Sequence, residues 1–181
     1  VSDIEKPYPG IVAQSSVVEW TFPRSGKSPL KVSWHEGRKP TTNPTNGERE
    51  WDDDFNMAMV GNKGVIAHNN RPDSPRLYPE EYWQDFRKNL PPKTFERIKG
   101  NQVDEWVRAI KNEGPQPGSN FDYASRLTEV GLLGVLAQKT GKSFEWDTDK
   151  MEVIDQPELN AFIKEPVRRG WEMGDELWEK T

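Results

Sequence analysis

Ser119-Asn120-Phe121-Asp122-Tyr123-Ala124-Ser125-Arg126-Leu127-Thr128-Glu129-Val130-Gly131-Leu132-Leu133-Gly134 is the stretch whose reading decides the fold. It opens on a polar turn and continues as a helix. Ala124, Thr128, Gly131 and Val135 recur at helical spacing, with Leu127, Gly134 and Ala137 alongside. A glycine inside a helix costs about 1 kcal/mol relative to alanine, so two of them need a reason. Close approach of this helix to a sheet supplies one. Thr140-Gly141-Lys142 ends the helix with a glycine stop, and Phe144-Glu145-Trp146-Asp147 begins a strand.

Upstream, Ser15–Phe22 and Leu30–Glu36 alternate at period two, and each reads as a strand with one apolar side. Val18, Trp20 and Phe22 share a face of the first; Leu30, Val32 and Trp34 share a face of the second. The segment from Pro23 to Pro29 reads as a hairpin-like connection. Arg38–Glu50, with two prolines, two asparagines and no apolar periodicity, reads as a loop long enough to carry function. Met57–Val60 and Val65–His68 flank Gly61-Asn62-Lys63-Gly64, a hairpin with two glycines able to take positive φ. Asn69–Pro79 reads as a further loop.

Pro79-Glu80-Glu81 starts a short helix with a Tyr82, Phe86, Leu90 stripe, ended by Pro91-Pro92. Asn101–Glu113 is a clearer amphipathic helix, with Val103, Trp106, Val107 and Ile110 on one side and Gly114-Pro115 as the stop. Met151–Ile154 reads as a last strand and Pro157–Lys164 as a last short helix. The succession predicts one α+β domain over residues 1–181, helix-rich from about 79 to 140. Its expected core is an open, mostly antiparallel (mixed) sheet with helices on one face and the other face available for oligomerisation.

Composition limits the function classes. The chain has 181 residues, enough to bury roughly 70% of its unfolded surface. Its mean hydropathy of −0.95 is low. The 8 Trp, 4 Tyr and 7 Phe partly offset that polarity with large buried units. A net charge of −5, without a Lys/Arg cluster, argues against a nucleic-acid partner. The acidic runs at Glu48–Asp54 and Glu172–Glu179 read as solvated faces. No cysteine is present, which excludes disulfides, thiolate catalysis and Cys-ligated zinc. No apolar run approaches the roughly 18 residues of a membrane span, so no membrane partner is expected. The first residues lack a signal peptide's apolar core. The chain begins at Val1 and is read as a piece of a longer parent, which leaves the compartment open between cytoplasm and periplasm.

Gly-x-Gly-x-x-Gly and Walker motifs are absent from the sequence. His35 and His68 read as structural or surface residues. Asp52-Asp53-Asp54 lacks the spaced ligands and glycine turn of a calcium loop, so no metal site is expected. Of the eight tryptophans, those at strand or stripe positions are expected in the core. Trp51, after the long loop, is the candidate for an exposed carbohydrate-stacking role.

The ordered motifs resemble the C-terminal domain of the glucose–fructose oxidoreductase, inositol dehydrogenase and MocA family, bacterial type. The residues that carry the resemblance are Lys31-Val32-Ser33-Trp34-His35-Glu36-Gly37, Val60-Gly61-Asn62-Lys63-Gly64 and Pro75-Arg76-Leu77-Tyr78-Pro79. Glu105-Trp106, Ser119-Asn120-Phe121-Asp122, Leu127-Thr128-Glu129, Glu145-Trp146-Asp147 and Arg169-Gly170-Trp171 follow in order. The segment Tyr8–Pro23 resembles the family's opening strand. His35 and Glu36 depart from the family pattern. Glu5-Lys6-Pro7 spells a family triplet from the nucleotide-binding domain, but Tyr8-Pro9-Gly10 follows where a helix should start, so Lys6 is not taken as catalytic.

The resemblance implies a parent that transfers hydride between NAD or NADP and a sugar or cyclic polyol. The nucleotide-binding Rossmann domain, absent from this chain, would hold the cofactor and the catalytic lysine. The chain would bind no cofactor, have no activity alone and contribute no catalytic residue. It would supply one wall of the substrate pocket, with that Rossmann domain as partner and a homo-oligomer formed through the sheet face. Asn120 and Asp122, in the polar turn, are the candidate substrate-binding residues; the competing and favoured account is that one of them caps the helix. The alternative function is a free-standing carbohydrate-binding or protein-interaction module using Trp51.

Overall fold

The computed structural model describes residues 1–5, 13–51, 55–69, 74–95, 100–164 and 166–171. The elements are β1 (Ser2–Glu5), β2 (Ser15–Arg24), β3 (Lys27–Glu36), β4 (Met57–Val60), β5 (Val65–His68), β6 (Arg76–Tyr78), α1 (Glu80–Phe86), α2 (Gln102–Ile110), α3 (Phe121–Thr140), β7 (Trp146–Asp147) and β8 (Glu152–Val153). Short 3₁₀ turns follow α1 at Arg87–Asn89 and β8 at Pro157–Phe162. The class is α+β, and every strand pairing is antiparallel. The strands are divided among three open sheets, β1-β2-β3, β4-β5-β6 and β7-β8.

Sheet one is built on the alternation read in the sequence. Val18 lies opposite Trp34, Trp20 opposite Val32 and Phe22 opposite Leu30, so the apolar residues of both strands share a face. Both strands run past the expected connection. Pro23 and Pro29 lie inside β2 and β3, and the turn is only Ser25-Gly26, with Gly26 at φ +65°. The register shifts between Phe22 and Arg24, an irregularity of the kind that accommodates a proline's missing N–H.

The helix α3 lies on this face over β2. Trp20 Nε1 donates to Val130 O at 3.1 Å, and Gln138 Nε2 donates to the fully buried Ser16 hydroxyl at 2.7 Å. The buried residues of α3 are Gly134, Leu136, Ala137 and Gln138, so the packed stripe is rotated from the one expected: Leu127, Thr128, Gly131 and Val135 are exposed. Of the two helix glycines, only Gly134 meets the sheet. A Cβ there would stand 2.5 Å from the Trp20 ring, whereas at Gly131 it would meet nothing within 4 Å. Leu136 continues into a cluster with Val153 and Leu159, flanked by Phe144 and Trp146. Asn160 closes this end by donating to Val153 O and accepting from Val153 N, as a neighbouring strand would.

Sheet two has its own core: Phe55, Val65, Ala67 and Tyr78, with Trp51 and Ala58 against it. The segment expected as a loop up to Pro79 contains β6, which pairs Ile66 with Leu77 and Val65 with Tyr78. Three residues are too short for a period-two signal to stand out. The Gly61–Gly64 turn forms, closed by Gly61 N to Gly64 O at 2.9 Å, but neither glycine has positive φ. Gly64 is required for closeness instead: a Cβ there would lie 2.7 Å from Tyr78 O.

Burial of the tryptophans departs from expectation as well. Trp20 and Trp146 are half-buried, while Trp34 and Trp106 are exposed at 55% and 62%. The helix-free face of β2 and β3 carries Glu19, Thr21, Lys31 and Ser33, crossed by a Lys31–Glu19 ion pair at 3.3 Å. On the sheets, bare apolar surface lies elsewhere: at Leu30, Val32 and Trp34 of β3, and at Met57, Met59, Val60 and Ile66 on sheet two.

Candidate functional site

The polar turn before α3 is positioned by its own hydrogen bonds. Asn120 is the N-cap of α3: Oδ1 accepts from Tyr123 N at 3.2 Å, and Nδ2 donates to Pro117 O at 3.0 Å. Both ends of the amide are therefore engaged, and the cap account holds for Asn120. Asp122 stands exposed in the first helical turn, where its negative charge suits the positive end of the helix dipole.

Two open grooves flank α1 and sheet two. One, of 810 Å³, is lined by Ile66, Leu77, Trp83, Phe86 and Leu90, with Arg76 and Arg87 as its cations. The other, of 730 Å³, runs from Met59 along the Gly61–Gly64 turn to Tyr82. Arg76 is engaged with the Glu80 carboxylate at 2.7 and 2.8 Å and lies over the Trp83 ring at 5.8 Å. Neither Asn120 nor Asp122 lines either groove, so the polar turn and the concave surfaces are separate features.

Trp51 is tied into the structure. Its Nε1 donates to Thr42 O at 3.0 Å, and its ring sits 4.4 Å from Phe55, tilted by 41°. Its ring packs against the core of sheet two and is only partly buried. His68 Nδ1 donates to Asn69 O at 2.5 Å. His35 Nδ1 is buried without a hydrogen-bond partner, on the helix-free face opposite Val17. Among the described residues, two carboxyls are held below their ordinary values, Asp147 at the end of β7 and Glu158 in the 3₁₀ turn after β8. Backbone N–H groups, Lys150 first, do this to Asp147; the Lys142 side chain at 2.7 Å does it to Glu158.

Two of the motif segments meet in space. Glu129, from Leu127-Thr128-Glu129, accepts from Nε1 of Trp146, in Glu145-Trp146-Asp147, at 2.5 Å and pairs with Arg126 at 3.5 Å. Sequence spacing offered no signal for this contact, because it joins a helix to a strand across a turn.

Among the described residues no group of three His, Asp or Glu is placed to hold a metal ion, and no helix is long and apolar enough to cross a membrane. Lys6, Asp52–Asp54, Trp178 and the Glu172–Glu179 run lie outside the described residues. No protein-family model, curated protein or solved structure matches the chain.

Proposed function

We propose that this chain is the substrate-side and assembly domain of an NAD(P)-dependent oxidoreductase acting on a sugar or cyclic polyol. On this reading a separate Rossmann domain of the parent supplies nicotinamide and the catalytic lysine. The chain supplies a pocket wall, with Asp122 as its substrate-facing carboxylate and Asn120 holding the turn. The observation that carries the reading is the junction of α3 with its neighbours. Small-residue contact at Gly134–Trp20 seats α3 on β2, and the Glu129–Trp146 hydrogen bond links two of the segments that carry the family resemblance. A helix seated this closely is a rigid mount for the polar turn at its N-terminus, as a substrate-positioning element requires.

The test is made on the product of the whole reading frame that encodes this chain. Expected are an upstream βαβ unit with a Gly-rich turn and reduction of NAD or NADP with inositols or hexoses, followed by absorbance at 340 nm. A frame without such a unit, whose product reduces neither cofactor with any member of the panel, overturns the proposal.

A further inference from the structure

The helix α2 has strong ends and, among the described residues, little packing against it. Asn101 accepts from the N–H groups of Val103 and Asp104, Asp104 returns a bond to Asn101 N at 2.9 Å, and both halves of a capping box are present. Yet α2 is only 9 residues long, and helices shorter than about 12 residues are marginal in water without tertiary packing. None of its residues is buried, and no other described element packs closely against it. Its apolar stripe is open: Val103 is 55% exposed, Trp106 62%, Val107 39% and Ile110 62%.

The stripe is self-complementary. Read about the midpoint between Trp106 and Val107, Val103 is matched by Ile110 and Trp106 by Val107. With 3.6 residues per turn, Asp104 and Lys111 lie on one flank of the stripe, acid near the N-terminus and base near the C-terminus. An antiparallel pair of such helices brings each Asp104 beside the partner's Lys111. It also opposes the two helix dipoles and meets Val103 with the partner's Ile110.

We propose that α2 is a self-association element, two copies of this chain pairing antiparallel through Val103, Trp106, Val107 and Ile110 about a two-fold axis. Nothing in this pairing depends on the oxidoreductase reading. Two short helices bury less than about 1,200 Å², which places the dimer in the weak class and its midpoint in the micromolar range.

The experiment is sedimentation equilibrium of the chain over roughly 1–500 µM, spanning that range, with the helix content of each variant checked by circular dichroism. The expected result is a concentration-dependent dimer whose midpoint moves up at least tenfold in Trp106→Ser. Lys111→Glu, which sets a carboxylate against the partner's Asp104, should weaken it further at low salt than at high salt. Trp34→Ser, on the sheet, should leave it unchanged. A monomer at every concentration overturns the proposal. A dimer that tolerates both α2 substitutions also overturns it and moves the contact to the bare sheet face.

Discussion

Gly134 of α3 lies directly against the indole of Trp20 in β2, and that indole's Nε1 donates to Val130 O, one helical turn before the glycine. The ring is thus fixed by its polar end while its apolar edge fills the space a Cβ would need. Gly134→Ala drives a methyl to 2.5 Å from the ring, and the ring cannot retreat without losing its hydrogen bond. Overpacking of this kind costs about 1–3 kcal/mol, more than the roughly 1 kcal/mol gained in helix propensity. Gly131→Ala is the internal control: it meets nothing and should stabilise by up to about 1 kcal/mol. Opposite shifts in urea midpoint are expected; shifts of the same sign would refute the contact.

Loss of the Glu129–Trp146 bond should separate chemistry from packing. The Glu129 side chain is only 11% exposed, and its carboxylate accepts from Trp146 Nε1 at 2.5 Å. Glu129→Gln keeps an acceptor and should retain most of the stability. Glu129→Leu leaves the indole N–H without its partner and should lose about 1–3 kcal/mol. Chemical denaturation followed by Trp fluorescence reads both, and equal losses would show that the hydrogen bond is not what matters.

At Trp51, substitution should read out as stability. Trp51→Ala uncovers Phe55, which is 1% exposed, and gives up the bond to Thr42 O. A loss of about 2–4 kcal/mol is expected, at the lower part of the range for large aromatic truncation because Trp51 is half-buried. A variant with unchanged melting and altered polysaccharide retention would favour the stacking role.

Capping by Asn120 predicts a graded series. Asn120→Ala should destabilise by about 0.5–2 kcal/mol, while Asn120→Ser or Asn120→Asp keeps an acceptor for Tyr123 N and should lose little. Asp122→Ala should cost less, no more than about 1 kcal/mol for the lost charge at the positive end of the helix dipole, and under the proposed function should lower substrate affinity. Equal melting of Asn120→Ala and the native chain would remove the cap.

The pH dependence follows from Asp147 and Glu158. Both carboxyls titrate below their ordinary values in the fold, Asp147 through the N–H of Lys150 first and Glu158 through the Lys142 side chain first. A folded value below the unfolded one favours the charged form. The contribution is therefore present above about pH 4, the ordinary carboxylate value, and is lost as pH falls through the folded value. Asp147→Asn should flatten the acid limb of the stability curve. An NMR titration placing Asp147 at or above its ordinary value would reverse the sign.

The alternation in Ser15–Phe22 and Leu30–Glu36, the cap in the polar turn before α3, the glycine stop at Gly141 and the pairing of Met57–Val60 with Val65–His68 were determined by sequence alone. They depend on side-chain period and on backbone preferences reaching no more than a few residues. The cap role of Asn120 was legible for the same reason, being a bond three residues long.

What only the tertiary structure decided is which faces meet. The strands fall into three sheets. The helix α3 turns Gly134 rather than Gly131 to the sheet; Trp51 folds onto Phe55; Trp34 and Trp106 stay outside; and Glu129 reaches Trp146. Periodicity gives a stripe more than 100° wide, and choosing the packed part of it depends on the shape and hydrogen-bonding reach of residues far away in the chain. Trp20, 110 residues before Val130, makes that choice for α3.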